Sequence, residues 1–406
     1  MRFCLTFLAF LLSLSLFGQD GVVVLTGRVV GQDGGRALAH VSVSAPGQHQ
    51  STVTNDDGEF TLKTAVCPDY IVLSHLGYQT QRVRVGEVPT KRLKIRMKPS
   101  TIVLNEVVIA VDDPLEIVLA AMRKIPQNYS AEGDLMHCFY RETARKGSRF
   151  IAVSEAVTDM YKTEYSRGIN FDGVKIVKGR RLMSTKASDT LGVKMMGGPL
   201  LPIQLDAVKN RDLLLNEDEL AYYHLASLVP EKIGDRLQYV VSIEPRYHLM
   251  ERPLFYGKLY IDQQTLAFTR VELQLDMSDR AAATAYMLVR KPSGLRFRPK
   301  ELSTIINYKT QDGVTRISYV RNQLRFNCDW RRRLFASTYT VVTEMVVTEH
   351  VEGPVRPLRA RDTFGQRDLF YDEVAYFDEP DFWGAYNIIE PTESLEHAIH
   401  KLRRQQ

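Results

Sequence analysis

The stretch between residues 27 and 98 constrains the fold of this 406-residue chain more than any other. It is divided into short segments in which apolar and polar side chains alternate, for example at 41–45 and 59–62, and the breaks between them carry Gly, Asn, Asp or Pro. Alternation with a period of two is typical of strands with one buried face, and these break residues favour tight turns. The stretch therefore predicts short antiparallel strands in a small β-sandwich, which we bound at residues 19–99.

A sharp turn is predicted at the four residues from Asn55 to Gly58, directly before a strand that begins at Glu59. Asn and Asp tolerate left-handed backbone and Gly adopts positive φ without strain, so a hairpin favours these residue types. Three oxygen-bearing side chains in succession also suggest calcium, but a calcium loop needs spaced acidic residues and a closing Glu. We therefore interpret the segment as a turn.

Several motifs of this stretch follow one another in a characteristic order, at residues 27–29, 41–43, 54–60 and 73–78. In this respect the stretch resembles the carboxypeptidase regulatory-like, or prealbumin-type, domain of exported Bacteroidetes proteins. In that family the domain is an accessory β-sandwich without catalytic residues, so the resemblance implies no peptidase activity. The segment 381–392 is similar to the end of uncharacterised Bacteroidetes proteins that carry this domain.

The first 18 residues predict a secretory signal peptide. Arg2 precedes an apolar run from Phe7 to Phe17, and we expect cleavage after Gly18, with Gln19 as the mature start. The apolar run is shorter than the ~20 residues of a membrane-spanning helix, so no transmembrane helix is expected in the mature chain. Together with the resemblance above, this predicts an exported protein in the periplasm or at the periplasmic face of the outer membrane.

A linker is predicted at residues 100–112, followed by a β-rich C-terminal domain at 113–406. The domain opens with a helix, because Asp113 can cap it, Pro114 suits its first position and apolar residues follow at helical spacing. A second apolar stripe with helical spacing, at residues 395–402, predicts a closing helix.

Most of the C-terminal domain is predicted to be β. Within residues 267–277, apolar side chains alternate with Glu272, Gln274 and Asp276. Alternation of this kind predicts strands, which we place at residues 237–243, 254–261, 267–277, 284–290, 302–308, 315–326 and 336–350, with a short helix at 220–228. The predicted fold class is mainly β: a prealbumin-like sandwich, then a larger curved antiparallel sheet of half-barrel form with a few helices.

The predicted strand pair within residues 255–268 is similar to strand pairs of the periplasmic lipoprotein-carrier superfamily. Those proteins are half-barrels whose concave face holds acyl chains, so the resemblance implies an apolar groove on the curved sheet. A filled core under the bent sheet is the alternative.

Charge and cysteine content narrow the class of protein further. The 53 basic and 48 acidic residues are scattered along the chain, a distribution that does not favour nucleic-acid binding.

Three cysteines follow the signal peptide, Cys67, Cys138 and Cys328. None forms a C-x-x-C pair, so we expect these cysteines to be buried packing residues rather than redox or metal-binding groups. A single disulfide among the three is possible, and the sequence does not specify its partners.

The strongest candidate for chemistry is a zinc site. His248 and Glu251 have the H-x-x-E spacing of metallocarboxypeptidases, and His350 could be a third ligand. However, nine histidines and 48 acidic residues make about one such pair expected by chance. His397 and His400 are spaced by three on the predicted closing helix, where a solvated polar face explains them equally well.

The sequence thus predicts no catalytic residue, metal ligand or cofactor. We expect a non-enzymatic binding or scaffold protein of the bacterial envelope, with an apolar or protein ligand on the curved sheet, an envelope protein or lipid as partner, and no nucleic acid. The first alternative is a zinc-dependent hydrolase that uses His248, Glu251 and His350. The second is a small outer-membrane β-barrel, which the predicted closing helix disfavours.

Overall fold

The computed structural model describes residues 22–86, 91–100, 113–189, 193–195, 197–246, 252–330, 336–366, 368–376, 379 and 382–405. The predicted fold class is confirmed, because strands dominate these residues and form a β-sandwich followed by one large curled sheet. The predicted signal segment and nearly all of the predicted linker lie outside the described residues.

The sandwich is built from seven described strands in two sheets. They are β1 (Val23–Gly31), β2 (Ser42–Ala45), β3 (Gln50–Val53), β4 (Glu59–Thr64), β5 (Tyr70–Ser74), β6 (Gln81–Arg84) and β7 (Leu93–Met97). One sheet has the order β4-β1-β7 and the other β3-β2-β5-β6. Val29 and Phe60 from the first sheet and Val43 and Ile71 from the second are buried in one shared core.

The predicted turn before Glu59 is confirmed. Asn55 Oδ1 accepts hydrogen bonds from the backbone N–H groups of Asp57 and Glu59, at 3.0 and 2.9 Å. Gly58 has φ 76°, and a Cβ atom there would lie 2.5 Å from the Val29 carbonyl oxygen, so only glycine fits.

The C-terminal unit contains helices and strands in an irregular order. The helices are α1 (Pro114–Arg123), α2 (Ile125–Asn128), α3 (Leu201–Gln204), α4 (Glu217–Leu220), α5 (Arg280–Met287) and α6 (Glu393–Arg403). The strands are β8 (Asp134–Lys146), β9 (Arg149–Lys162), β10 (Gly173–Met183), β11 (Lys194–Met195), β12 (Tyr223–Ile233), β13 (Arg236–Pro245), β14 (Phe255–Asp262), β15 (Phe268–Leu275), β16 (Leu288–Arg290), β17 (Leu295–Gln311), β18 (Val314–Trp330), β19 (Ser337–His350) and β20 (Ala375–Tyr376).

The large sheet has the order β12-β13-β14-β15-β17-β18-β19-β8-β9-β10-β20 within the described residues. Neighbours pair antiparallel, except for the short parallel pair of β10 and β20. The strand pair recognised in the sequence is the antiparallel pair of β14 and β15.

Two predicted elements are wrong. Residues 220–228 were expected to be helical, but α4 ends at Leu220 and β12 begins at Tyr223, because this segment pairs with β13 along the edge of the sheet. Residues 284–290 were expected to be a strand, but residues 284–287 belong to α5 and only Leu288–Arg290 form a strand, β16. There the Asp279 side chain caps the helix by accepting from two backbone N–H groups, and the alanines that follow favour a helix.

The two predicted amphipathic helices form as expected. Asp113 caps α1 by accepting from the Leu115 N–H at 2.9 Å, although Ile117 rather than Leu115 faces the core. Thr392 caps α6 in the same way. In the described part of the chain no helix has the length and apolar character that crossing a membrane requires.

The large sheet has two faces with different coverings. The first, which we call the helix face, packs against α1, α5 and the segment 201–220 in one continuous hydrophobic core. The second, the module face, packs against the sandwich and the segment 382–403. Each strand therefore contributes alternate residues to two different environments.

The C-terminal segment connects the sandwich to the module face. Thr52 Oγ1 donates to the Ile388 carbonyl at 2.9 Å. The Asn387 side chain exchanges two hydrogen bonds with the backbone of Lys63, at 2.7 and 2.8 Å. The sandwich and the large sheet are therefore linked through side chains of both units and not only through the covalent chain.

The three cysteines that follow the signal segment are free thiols. Cys138 and Cys328 are buried, as expected for packing residues, and Cys67 is partly exposed. Burial raises the pKa of the Cys328 thiol to about 11. The single disulfide that was possible among these three cysteines is not formed.

Candidate functional site

The candidate functional site is a cleft of about 780 Å³ between the sandwich and the large sheet, which we call the interdomain cleft. The turn after β2, the β17–β18 hairpin and the end of β19 form its walls. The cleft opens because β18 pairs with β19 only from Tyr319 onward, which leaves residues 314–318 without a partner on β19. The β2–β3 hairpin reaches this gap, where Gln50 pairs with Glu349.

Two cations face the cleft from neighbouring strands. Lys309 on β17 and Arg316 on β18 are cross-strand partners, and both line the cleft. Lys309 is partly buried, and burial lowers the pKa of its ammonium group to about 8. Because like charges directly opposite each other destabilise a sheet, this arrangement costs free energy unless counter-charges are nearby.

Arg316 has a counter-charge, whereas Lys309 has none among the residues that the structure describes. Arg316 Nε donates to Asp134 Oδ2 at 3.0 Å, and Asp134 Oδ1 lies 2.7 Å from His350 Nε2. Burial alone would raise the pKa of Asp134, but the bonds from His350 and Arg316 outweigh it and lower that pKa. Among the residues that the structure describes, no carboxylate lies within 4.0 Å of the Lys309 ammonium.

Three polar side chains join the walls of the cleft. His49, next to β3, has its Nδ1 2.7 Å from Gln311 Nε2 and its Nε2 2.6 Å from Glu352 Oε1. The Gln311 amide N–H is a donor, so His49 Nδ1 accepts and its Nε2–H donates to Glu352. This chain of contacts fixes the sandwich against the tip of the β17–β18 hairpin.

The remaining walls of the cleft are partly apolar. Pro46, Val72, Val314 and Val347 line it and keep contact with solvent. Sites for small organic ligands typically combine apolar walls with a few placed polar groups. The composition of the cleft therefore suits binding of a small molecule.

A second group of titratable side chains lies inside the C-terminal unit. Lys162, Asp172, Asp206 and Lys209 form what we call the lysine–aspartate cluster, and their side chains are at most 1% exposed. Lys162 Nζ lies 2.7 Å from Asp206 Oδ2, and Lys209 Nζ lies 2.6 Å from Asp172 Oδ1. Two positive and two negative charges thus balance each other in the interior.

Tyrosine hydroxyls complete this cluster. Tyr308 donates to Asp206 Oδ1 at 2.8 Å, and Tyr165 donates to Asp206 Oδ2 at 3.2 Å. Burial opposes the charge of Lys162, but the attraction of Asp206 and Asp172 outweighs it and raises the pKa of that lysine. Because solvent does not reach these groups, we interpret the cluster as a support that holds the segment around Asp206 over the helix face.

The sandwich matches a known domain family. Residues 25–109 match the CarboxypepD_reg-like domain. This match confirms the resemblance for the N-terminal unit, while the assignment to Bacteroidetes stays a prediction. Comparison with curated proteins gives no significant match.

Several solved structures are distantly similar. A DUF1329 family protein from Desulfovibrio piger is 10% identical, with a TM-score of 0.25 and alignment over 60% of this chain and 96% of that chain. A LolA superfamily protein from Nitrosomonas europaea is 9% identical, with a TM-score of 0.20 and alignment over 58% of this chain and 94% of that chain. The MucA/MucB complex from Pseudomonas aeruginosa is 14% identical, with a TM-score of 0.18 and alignment over 60% of this chain and 98% of that chain. Similarities this weak carry no inference about what the chain binds.

The residues of the predicted zinc site are only partly placed. His350 lies at the cleft beside a carboxylate, while His248 and Glu251 fall outside the described residues, so the zinc hypothesis stays a prediction. His397 and His400 are exposed on α6. Within the described ranges no three His, Cys, Asp or Glu side chains stand close enough together to hold a metal ion.

The two cations of the cleft, Lys309 and Arg316, were not among the site residues predicted from the sequence. Arg316 lies inside a predicted strand, and Lys309 directly follows another. Their polar positions in alternating strands were the available signal. They lie opposite each other because of the register between β17 and β18, and that register cannot be predicted from the residues around either cation.

Proposed function

We propose that this protein is an exported, non-enzymatic binding protein of the bacterial envelope, and that its ligand occupies the interdomain cleft. The supporting observation is the cleft itself, which has the volume of a small-molecule site and walls from both units. A ligand there would touch the sandwich and the large sheet at the same time and would fix their relative position.

The packing of the helix face supports this location for the ligand. The sequence-based hypothesis placed an apolar ligand on the curved sheet, yet apolar side chains of the helix face are packed against helices in a continuous core. A ligand on that face would have to displace packed side chains. The interdomain cleft already offers open volume and needs no such displacement.

The role of the sandwich in this proposal is to complete a binding site. Its family is described as regulatory-like, and its contribution to the cleft consists of the β2–β3 hairpin with His49 and Gln50 and of Val72 on β5. Export is supported by the signal-like pattern of the first 18 residues. The proposed location is the periplasm or the periplasmic face of the outer membrane, with an envelope protein or lipid as partner.

Native mass spectrometry of the protein purified gently from the envelope fraction tests this proposal. We expect a mature chain that begins at Gln19 and carries a bound small molecule. Hydrogen exchange at residues 44–51 and 309–318 should slow when that molecule is added back to stripped protein. Ser318→Trp, which places a large side chain in the cleft, should abolish the protection, whereas the exposed Ser293→Trp should not.

Two outcomes would contradict the proposal. One is a chain that stays unprocessed in the cytoplasm. The other is a ligand-free protein whose exchange at the cleft is unchanged by envelope extracts, with Ser318→Trp indistinguishable from Ser293→Trp.

A further inference from the structure

The ammonium group of Lys309 is the least satisfied charge of the interdomain cleft. It is partly buried, its cross-strand partner Arg316 is also a cation, and no carboxylate of the described residues is within 4.0 Å. A lysine in this position loses hydration without gaining a counter-ion. Such an arrangement is costly by itself and becomes favourable when a ligand supplies an anion.

We propose that the interdomain cleft binds a small organic carboxylate, with its anionic group on the Lys309 ammonium and its apolar part along the valines of the cleft walls. This inference rests on the function proposed above and names the class of its ligand.

The charges of the cleft favour an anion with a single negative charge. The titratable groups that line the cleft besides Lys309 are His49, Asp312, Arg316, His350 and Glu352. Arg316 and His350 share Asp134, and His49 is bonded to Glu352. Asp312 is exposed in the turn of the β17–β18 hairpin. Glu352 is likewise exposed, and its partner His49 is neutral in this arrangement, so solvent screens both of these carboxylates. Lys309 is then the partly buried cation that is left for the ligand, and a single positive charge matches a carboxylate better than a phosphate monoester, whose charge approaches two at neutral pH.

The volume and the apolar lining of the cleft indicate that the ligand has an apolar part in addition to its anionic group. Val72, Val314 and Val347 are only half-buried and would gain burial from an aliphatic group. A volume of about 780 Å³ exceeds what a bare carboxylate such as acetate would fill.

Titration calorimetry of the full mature chain with octanoate, octanol, octyl phosphate and acetate tests the inference. We expect octanoate to bind best. Lys309→Met should weaken octanoate binding about tenfold or more, as expected for loss of a hydrogen bond to a charged group, and leave octanol binding unchanged. Lys300→Met, an exposed position on the same strand, is the matched control and should bind octanoate like the wild type.

The pH dependence gives a second readout. The pKa of Lys309 is lowered to about 8, so the wild type should lose affinity for octanoate as the pH rises from 7 to 10, while Lys309→Met should show no such loss. The other lining groups are common to both proteins, so their titration cancels in this comparison.

Equal octanoate affinities of the wild type and Lys309→Met would overturn the inference, and so would tighter binding of octyl phosphate or no binding of octanoate at all. The proposed function fails separately. Octanoate binding that is independent of Lys309 but lost in Ser318→Trp would reject the role of the lysine and keep the cleft as a binding site. An envelope-derived molecule bound to a protein that ignores octanoate would do the same.

Discussion

On the helix face of the large sheet, Val271 and Ile306 are cross-strand partners that are fully buried under helices. One residue away along the same strands, Arg270 and Asn307 are partners on the module face, where Arg270 Nη1 donates to Asn307 Oδ1 at 2.9 Å. The same strands thus supply an apolar row to one face and a polar row to the other.

This contrast explains where a ligand can bind. An apolar row is stable only when something covers it, and the helix face packs against helices in one continuous core. A polar row remains stable beside water, so the sandwich can leave a gap above it. The interdomain cleft lies at such a gap, where β18 extends beyond its pairing with β19.

The largest effect is expected for a substitution in the lysine–aspartate cluster, which holds the segment around Asp206 over the helix face. Asp206→Asn keeps the shape of the side chain but leaves the buried Lys162 with less counter-charge, so we expect a loss of about 3–5 kcal/mol in the free energy of unfolding. Urea denaturation measures it. Asp235→Asn, at an exposed position, should change stability by less than about 0.5 kcal/mol. A loss below about 1 kcal/mol for Asp206→Asn would mean that the cluster does not depend on charge balance.

The second prediction concerns the covering of the module face. Asn387→Ala removes both hydrogen bonds to the Lys63 backbone, for which we expect a loss of about 1–3 kcal/mol and faster hydrogen exchange in β4. Tyr386→Ala, at the neighbouring and exposed position, is the control. If exchange in β4 stays at the wild-type rate, the C-terminal segment does not secure the sandwich.

The two faces of the large sheet differ in how much of their structure can be predicted from the sequence. The alternation that predicts a strand at residues 267–277 also places Val271 on a buried face, and the structure confirms both. The capping residue of α1, Asp113, was equally predictable, because a cap depends on neighbouring residues only.

The lysine–aspartate cluster and the cleft could not be predicted in this way. Lys162 and Asp206 lie 44 residues apart, so only tertiary packing brings them together. The cleft depends on where β18 stops pairing with β19 and on the position of the β2–β3 hairpin, and alternation carries no information about either. The predicted helix at 220–228 failed for a related reason, because pairing with β13 overrides local propensity in an edge strand.

The third prediction concerns the ammonium group of Lys309 in the interdomain cleft, which has no carboxylate partner among the described residues. In Lys309→Met the uncompensated ammonium disappears, so this variant should be more stable than the wild type by about 1–2 kcal/mol below pH 8, less than the full pKa shift would give because the side chain keeps some solvent contact. The folded pKa of about 8 lies below the ordinary value of 10.5, so the unfolded chain binds more protons between these values. Wild-type stability therefore rises over this range and the advantage of the variant shrinks.

Thermal unfolding at pH 6 to 9.5 measures this difference, and Lys300→Met should show no advantage at any pH. A Lys309→Met variant that is less stable than the wild type at pH 7 would mean that the lysine has a counter-charge in the folded protein.

The smallest expected effect lies where the sandwich meets α6. Asp57 Oδ2 accepts from the Glu393 N–H at 2.9 Å, which places a carboxylate at the positive end of the helix dipole. Asp57→Ala should cost about 0.5–1 kcal/mol, and added salt should reduce this cost because part of it is electrostatic. Asp57→Asn keeps an acceptor without the charge, so its cost should be smaller and nearly independent of salt. Asp69→Ala, at an exposed position of the same sandwich, gives the baseline in urea unfolding. A salt-independent loss in Asp57→Ala would assign the contribution of Asp57 to its hydrogen bond rather than to its charge, and the contact would then join the two units as a neutral cap.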